Sequence, residues 1–412
     1  MINENIKKNY LGVSNNKKYM YGKNKKYENN FFINSLLPIP WELWPVEVRF
    51  LISMIIFWSL AGLFILGSAS WWVAIRENGD GAFYIKRQIL WLIASLIIGW
   101  RAISIPIKKW IKISGFALLL GTLLIAITAF MGSTINGSTR WLIVGPLQIQ
   151  PSELIKPFII IQASTIFGYW NQIFNEKKIF WILTFVAIIM LIVKQPNLST
   201  AALTGIIIWM IALGSGINLK TLLGSFFIGS TFGISSILTH EYQKLRVLSF
   251  LNPWKDPEGN GYQLIQSLLA IGSGGIFGQG YGLSTQKLQY LPIQSTDFIY
   301  AVFAEEFGFI GSFMFFIFLS LIALLGLKIS LMCSQNHSKL IAIGCSTMLV
   351  GQSIMHIAVA SGVMPTTGLP LPLISYGGNS LVSSILIASL LIRCGIESYQ
   401  IDEKNFLIKR KF

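Results

Sequence analysis

The chain has 412 residues, of which 53% are hydrophobic and only 12% are charged. A soluble domain carries roughly 25% charged residues, so this composition excludes an ordinary soluble protein and favours one that crosses a membrane several times. The net charge of +15 would suit a nucleic-acid binder, but the basic residues are concentrated in the tails and in short connections between apolar runs. That distribution is typical of membrane topology, so nucleic acid is not an expected partner.

In chain order, residues 1–48 form a polar, lysine-rich tail that we expect to be disordered and cytoplasmic. Residues 49–395 form the membrane domain, and residues 396–412 form a second cytoplasmic tail. The first apolar run begins near residue 50, too far along the chain for a secretory signal peptide. Apolar runs predict an all-α protein of about ten membrane helices, at residues 50–69, 88–105, 112–131, 153–171, 179–194, 198–215, 219–239, 298–327, 338–361 and 374–393.

The distribution of charge assigns a side to each connection. Lysine and arginine recur in every second connection and in both tails, which predicts that these segments and both termini are cytoplasmic. The opposite connections hold most of the Gly, Pro, Trp and Gln patterning, and the longest of them spans residues 240–297. We therefore expect the chemistry to take place on the outer face, with this long loop between the seventh and eighth helices.

Scattered cysteines and histidines supply no metal site. The three cysteines lie in or beside apolar runs without CxxC spacing, and the three histidines are too far apart for a zinc site, at Cys333, Cys345, Cys394, His240, His337 and His356. The glycine runs near residues 272–282 follow no strand, so a nucleotide-binding loop is a poor interpretation. Tight turns that re-enter the headgroup region suit them better.

Several long motifs occur in a fixed order on the predicted outer side. They are Thr139-Arg-Trp-Leu-Ile-Val-Gly-Pro, Gln150-Pro-Ser-Glu-Leu-Ile-Lys156, Gln195-Pro-Asn-Leu-Ser-Thr, Arg246 with Phe250-Leu-Asn-Pro-Trp-Lys-Asp-Pro, Gly261-Tyr-Gln, Thr296-Asp-Phe-Ile, Glu305-Glu and Pro370-Leu-Pro-Leu-Ile-Ser-Tyr-Gly-Gly. Over roughly residues 50–395 the chain resembles the SEDS family, the FtsW/RodA peptidoglycan glycosyltransferases, and it is more similar to the FtsW branch, which acts in cell division. The chain departs from the family pattern at Ile293, Ser295 and Asn197, where the family usually has Glu, His and Asp.

The resemblance implies that the protein polymerises lipid II into glycan strands at the outer leaflet of a bacterial cytoplasmic membrane, at the division septum. The 4-hydroxyl of an acceptor GlcNAc would attack the anomeric carbon of MurNAc, and undecaprenyl pyrophosphate would leave with inversion. Implied partners are lipid II, the undecaprenyl-linked glycan, membrane lipid, a class B penicillin-binding transpeptidase and other division proteins. A single inverting displacement needs one positioned base and positive charge at the pyrophosphate, not the two carboxylates of a retaining glycosidase.

Asp297 is the candidate base, because it lies where the long loop meets an apolar helix. The competing interpretation is an ordinary helix cap, since Thr296-Asp297 before a helix also has favourable cap and dipole geometry. The resemblance at this position favours the base. Because Ile293 and Ser295 replace polar family residues, this carboxylate has fewer acidic or imidazole neighbours than the family pattern provides.

Basic and polar residues of the same motifs are candidates for binding the substrate. The candidates are Arg140, Trp141, Lys156, Gln195, Arg246 and Lys287, with Lys244 as a further cation. Lys156 lies inside an apolar run, where an unpaired charge costs roughly 3 kcal/mol, although it could equally snorkel or pair with Glu153 three residues earlier. Trp141 could stack on a sugar or anchor at the interface. Glu305 and Glu306 must be paired or face water.

Two other functions compete with the polymerase. A lipid II flippase would use intramembrane charges and would bind the same headgroup, but it needs features on both faces and usually discontinuous helices. A scaffold that only recruits partners leaves Asp297 and Lys156 without a role. Within the family, an elongation polymerase of the RodA type is the alternative to a division enzyme. A divalent cation, Mg²⁺ or Mn²⁺, would suit a pyrophosphate, but no cluster of ligands in the sequence identifies a metal site.

Overall fold

The structure, a computed structural model, describes residues 44–409 except 136–137, 146 and 289. Most of the predicted N-terminal tail therefore lies outside the described residues, as do residues 410–412. Thirteen α-helices lie in the described part of the chain: α1 (Val46–Asn78), α2 (Phe83–Ser104), α3 (Ile107–Met131), α4 (Pro151–Leu154), α5 (Lys156–Gly168), α6 (Asn175–Lys194), α7 (Leu198–Gly214), α8 (Leu219–Thr239), α9 (Glu241–Leu251), α10 (Tyr262–Ser273), α11 (Ile299–Met332), α12 (Asn336–Ala360) and α13 (Gly378–Lys409).

Nine of the ten apolar runs in the sequence correspond to one helix each, and the run at residues 153–171 corresponds to the consecutive helices α4 and α5. Among the described residues, seven helices are long and apolar enough to cross a membrane, namely α1, α2, α3, α8, α11, α12 and the first 22 residues of α13. Helix α7 is apolar but shorter. The predicted turn at residues 195–197 is confirmed, because α6 ends at Lys194 and α7 begins at Leu198.

A small sheet interrupts the helical pattern and was missed by the all-α prediction. Its strands are β1 (Ser133–Ile135), β2 (Ser138–Val144) and β3 (Leu147–Ile149), which pair antiparallel in the order β1-β2-β3. Gly145 has φ of +59° between β2 and β3, a left-handed conformation that glycine adopts without steric cost. The sheet matters for function because β2 carries Arg140 and Trp141.

Helices α12 and α13 form the centre of the bundle. Their most apolar stretches are 67% and 83% buried, whereas that of α8 is only 11% buried. The connection between α12 and α13 enters the bundle against α1, where a Cβ on Gly62 would lie 2.2 Å from the carbonyl oxygen of Leu373. No other residue would fit there, so Gly62 lets the chain that follows α12 reach the interior.

The predicted 240–297 loop is largely structured. It contains helix α9, a short 3₁₀ turn at Pro253–Lys255 and the amphipathic helix α10, which packs on α11 and α12. Asp297 lies in the last turn of this region, immediately before α11.

Helix α11 is broken at Gly308, where φ is +65°. The chain that follows α10 fills the break with its own backbone. The amide nitrogens of Gln279 and Gly280 donate to the carbonyls of Glu305 and Glu306, and those of Phe309 and Ile310 donate to the carbonyls of Gly275 and Ile276. Unpaired backbone groups are costly inside a bilayer, so this pairing makes the break tolerable.

Candidate active site

Asp297 belongs to a turn rather than to a helix cap. Its amide nitrogen donates to the carbonyl oxygen of Ile293 at 3.2 Å. Helix α11 begins two residues later at Ile299, with Phe298 as its N-cap residue and no side-chain capping bond. The interpretation of Asp297 as an ordinary helix cap is therefore wrong. Its carboxylate is left available for chemistry.

The surroundings of Asp297 favour a proton acceptor that works near neutral pH. Burial among protein atoms raises the pKa of its carboxyl from 3.8 to about 6, against the opposing influence of Arg246, Arg140 and a hydrogen bond from Thr296. The residue as a whole is half-buried. A base whose pKa lies near the working pH is well suited to general catalysis.

Arg140 reaches the site from strand β2. Its Nε donates to the carbonyl oxygen of Gln195 at 3.4 Å, and its Nη2 donates to that of Pro196 at 2.5 Å. Both acceptors are neutral and belong to the turn between α6 and α7. The guanidinium is therefore held in place without its charge being neutralised.

Arg246 reaches the same site from helix α9. Its Nη1 donates to the carbonyl oxygen of Thr366 at 3.1 Å. Its guanidinium carbon lies 4.5 Å from the ring centroid of Tyr242, one helical turn earlier. This stacking and the single carbonyl fix the side chain and leave it cationic.

Gly368 lies next to both Arg140 and Asp297. A Cβ built on this glycine would lie 3.3 Å from Nη1 of Arg140 and 3.6 Å from Oδ2 of Asp297. Beside it is a cavity of about 160 Å³. The cavity is lined by Arg140, Arg246, Gly368 and apolar side chains of α7, α8 and α9, namely Leu198, Ala202, Ile237 and Val247. Two cations and an apolar wall thus line the cavity, and the Asp297 carboxylate lies next to it, on the other side of Gly368. This combination suits an anionic lipid headgroup.

Lys156 is buried in a closed ion pair. Its Nζ lies 2.6 Å from Oε1 of Glu153 and donates to Oε1 of Gln352 at 3.2 Å. The Nε2 of Gln352 in turn donates to the carbonyl oxygen of Pro370 at 2.6 Å. The pairing with Glu153 that the sequence left open is confirmed, and the network supports the chain between α12 and α13.

Lys287 is buried in a second ion pair. Its Nζ lies 2.8 Å from Oε1 of Glu306 and donates to Oγ of Ser68 at 2.7 Å. Glu305, next to this pair, accepts hydrogen bonds from Ser284 and Thr285. The sequence required both glutamates to be paired or to face water; Glu306 has an ion pair, and Glu305 has hydrogen-bond donors instead of a cation.

The side chains of Gln195 and Trp141 do not line the cavity that the two arginines line. The side chain of Gln195 is buried and points to α3, where Nε2 donates to the carbonyl of Ile125 and to Oγ1 of Thr128. Only the backbone carbonyl of Gln195 reaches the site. Trp141 lies beside Arg140 on β2 and is half-buried, but it does not line the cavity.

Comparisons with known proteins identify the family of the chain. The sequence model of the FtsW/RodA/SpoVE family, described as cell cycle proteins, matches residues 48–400. The chain belongs to this family. It is 45% identical over 361 residues to a protein of Mesostigma viride named putative peptidoglycan glycosyltransferase FtsW, covering 88% of this chain and 87% of that one. It is 43% identical over 360 residues to a probable peptidoglycan glycosyltransferase FtsW of Synechocystis, covering 87% and 92%.

Two solved structures have a similar fold. A chain of a peptidoglycan synthase complex that coordinates polymerization and crosslinking superposes with a TM-score of 0.70 at 28% identity, covering 85% of this chain and 98% of that one. The rod shape determining protein RodA of Thermus thermophilus superposes with a TM-score of 0.65 at 24% identity, covering 88% and 100%. The second likeness concerns the fold alone.

The site of this FtsW/RodA/SpoVE protein does not fit a divalent cation. No group of three or more His, Cys, Asp or Glu side chains converges anywhere in the described part of the chain. The charged groups nearest the Asp297 carboxylate are two guanidiniums, which would repel a cation placed there.

Sequence reasoning missed the contribution of two segments. The chain at residues 364–368 lines the cavity and supplies the carbonyl that holds Arg246, yet it carries no charged residue that would draw attention. Tyr242 holds the other side of Arg246. Its spacing of four residues from Arg246 on a helix was the available signal, because such residues share one face.

A larger cavity of about 430 Å³ lies at the other end of the bundle, where α5 and α7 end and α12 begins. Aromatic and uncharged polar side chains line it, among them Tyr169, Trp170, Asn218 and Asn336. Because no charged group lines this cavity, it offers neither a base nor a cation for a diphosphate. The smaller cavity beside Asp297 is the better candidate site.

Proposed function

We propose that this protein is a peptidoglycan glycosyltransferase that polymerises lipid II into glycan strands during cell division. The observation that carries the proposal is the half-buried carboxylate of Asp297, with a pKa of about 6, beside two guanidiniums that bond only to neutral carbonyls. The names of the FtsW relatives support the same activity. The FtsW names also favour division over the elongation role of RodA.

In the proposed reaction, the 4-hydroxyl oxygen of the acceptor GlcNAc attacks the anomeric carbon of the donor MurNAc. Asp297 accepts the hydroxyl proton as the new bond forms. The bond from the anomeric carbon to the diphosphate oxygen breaks, and undecaprenyl diphosphate leaves with inversion. Arg140 and Arg246 stabilise the negative charge that develops on the leaving oxygen, since fixed cations in a water-poor site lower the barrier most where charge appears.

The other predicted binding residues receive supporting roles in this proposal. A substrate would reach the ammonium of Lys156 or Lys287 only by breaking a buried ion pair, so we assign both to holding the site together. Gln195 contributes through its backbone carbonyl, which positions Arg140. Trp141 remains a candidate for sugar stacking at the rim.

The proposed topology places ten helices across the membrane, with α4 and α5 together forming the fourth. Both termini are then cytoplasmic, and the segment 240–297 and the site lie on the outer side of a bacterial cytoplasmic membrane at the division septum. Support comes from the basic connections at the opposite end. One structural relative is a peptidoglycan synthase complex that coordinates polymerization and crosslinking. It supports a class B penicillin-binding transpeptidase as partner, together with other division proteins.

A lipid II flippase remains the alternative because α11 is discontinuous, a feature common in transporters. In transporters such breaks line a cavity, whereas this one is filled by the backbone of residues 275–280. A filled break leaves no place for a substrate at that depth. The arrangement therefore favours the polymerase.

The decisive experiment uses purified full-length protein with lipid II and its cognate transpeptidase. Asp297→Asn should abolish glycan polymerisation while the protein remains folded. The matched control is Asp80→Asn, which changes an exposed carboxylate paired with Lys86 at the same end of the bundle and should retain activity. Full polymerisation by Asp297→Asn would refute the assignment. Translocation of lipid II in proteoliposomes without any polymer would establish the flippase instead.

A further inference from the structure

The motif at residues 370–378 has no role in the reaction described above, yet it forms hydrogen bonds with the residues that precede Asp297. The Oγ of Ser375 donates to the carbonyl oxygen of Thr296 at 2.6 Å. The same Oγ accepts the amide of Leu371 at 2.9 Å, and the amide of Tyr376 donates to the carbonyl of Ser295 at 3.0 Å. Two consecutive carbonyls immediately before the base are therefore held by this motif.

A glutamine in α2 holds the motif in turn. Gln88 is 2% exposed. Both the nitrogen and the oxygen of its side-chain amide form hydrogen bonds with backbone groups of the motif. Nε2 donates to the carbonyl of Ser375 at 3.2 Å, and Oε1 accepts the amide of Gly377 at 3.3 Å. One turn earlier on α2, the ring of Tyr84 packs edge-on against that of Tyr376. A buried amide is costly unless paired, so these two bonds fix the motif firmly.

We propose that Gln88 and Ser375 are positioning residues for the base: they anchor the peptide units before Asp297 to the rigid helix α2. This inference rests on the proposed function, in which Asp297 accepts the proton. Neither side chain lines the cavity beside Asp297, and both are buried. They act through the backbone of residues 295 and 296 and touch no substrate.

The need for such an anchor follows from the local chain. Asp297 lies in a turn after Ile293 rather than in a helix or strand. A catalytic group must be held within about 0.5 Å of its productive position. A displacement of about 1 Å costs on the order of a hundredfold in rate. A turn alone would hold Asp297 weakly. The two hydrogen bonds to the carbonyls of Ser295 and Thr296 hold it firmly, because the motif that donates them is itself fixed to a membrane helix.

The test compares Ser375→Ala and Gln88→Met with the wild type in lipid II polymerisation by the purified full-length protein with its transpeptidase. We expect kcat to fall by about tenfold to a hundredfold. KM should stay within about twofold, because Arg140 and Arg246 keep their own backbone partners. Ser375→Thr, which keeps the hydroxyl, should restore most of kcat.

Matched controls separate this role from general packing. Gln162→Met changes a buried glutamine of α5 whose side chain contacts Ser114, and Ser389→Ala removes a hydroxyl bonded within α13. Both should keep kcat. Thermal unfolding is followed for every variant, and if Gln88→Met does not fold, Ser375→Ala carries the test because it removes a single hydroxyl.

Two results would overturn the proposal. One is a wild-type kcat in Ser375→Ala with Asp297→Asn inactive, which leaves the proposed function intact. The other is a rise in KM at unchanged kcat, which would mean that the motif shapes substrate binding instead. By contrast, an active Asp297→Asn variant refutes the proposed function itself, so the two failures are distinguishable.

Discussion

The Asp297 site and the buried cluster around Lys287 use the same kinds of charged group in opposite ways. In the cluster, the Lys287 ammonium is paired with Glu306 and bonded to Ser68. In the site, Asp297 makes no direct ion pair with any described residue, and Arg140 and Arg246 bond only to carbonyl oxygens. Charges that neutralise each other stabilise the fold, whereas charges kept apart remain available to a substrate.

Breaking the closed cluster should have the largest effect on stability. Lys287→Met leaves the Glu306 carboxylate buried without its cation, which should lower the free energy of unfolding by about 3–5 kcal/mol. Thermal unfolding of the purified protein measures this loss. Lys86→Met is the control, because its partner Asp80 is exposed and such pairs contribute less than about 1 kcal/mol. Equal melting of Lys287→Met and the wild type would contradict the assignment.

Removing the charge of Asp297 should instead stabilise the folded protein. Because burial raises the pKa of Asp297 from 3.8 to about 6, its ionised form destabilises the folded protein by up to about 3 kcal/mol at neutral pH. That destabilisation disappears as the pH falls through 6 towards 4 and the carboxyl takes up its proton. Asp297→Asn should therefore unfold at a higher temperature than the wild type at pH 7, with the difference vanishing near pH 4.

The Asp80→Asn variant separates this effect from the loss of a charge as such. Its exposed carboxylate should give no comparable gain in melting temperature at pH 7. A lower melting temperature of Asp297→Asn than of the wild type at pH 7 would show that the carboxylate is stabilised rather than strained.

The pH dependence of the reaction probes the arginines. The base must be ionised, so kcat/KM of the wild type should fall as the pH drops through about 6. Arg246 is the largest influence that lowers this pKa, so Arg246→Gln should move the acid limb to higher pH. Arg246→Lys keeps the charge and should move it less. An acid limb that stays in place in Arg246→Gln would show that the arginine does not act on the base.

The smallest effect concerns the turn that carries Asp297. Ile293 has φ of +55°, a left-handed conformation that costs a β-branched residue about 1–2 kcal/mol. Ile293→Asn should therefore stabilise the protein by about 1 kcal/mol, since asparagine tolerates this region better. Denaturation of Ile317→Asn, at an exposed helical position of α11, provides the comparison and should show no gain. A loss of stability in Ile293→Asn would mean that the isoleucine side chain outweighs the strain.

Much of this arrangement could be predicted from the sequence because it depends on local patterns. Apolar runs predict the helices, and the motif containing Asp297 predicts a candidate base. The strands that carry Arg140 were missed because they are short and lack clear alternation. The roles of Lys156 and Lys287 were open because their partners Gln352, Ser68 and Glu306 come from other segments of the chain.

Gln88 shows most clearly why the rest could not be predicted. A single glutamine in an apolar run carries no pattern of its own. Its acceptor is the carbonyl of a residue 287 positions later, and only the folded bundle brings the two together. Residues that act through such distant backbone contacts leave no local signal.

The backbone pairing at Gly308 also constrains how the protein assembles in the membrane. Gly308 lies roughly 14 Å along α11 from its start, and its neighbours Phe309 and Ile310 find their acceptors in Gly275 and Ile276. These acceptors precede α11 in the chain and lie outside it. A helix inserted alone would reach the bilayer with those groups unpaired. We therefore expect residues 275–280 and α11 to enter the membrane as one unit rather than as a helix followed by a loop.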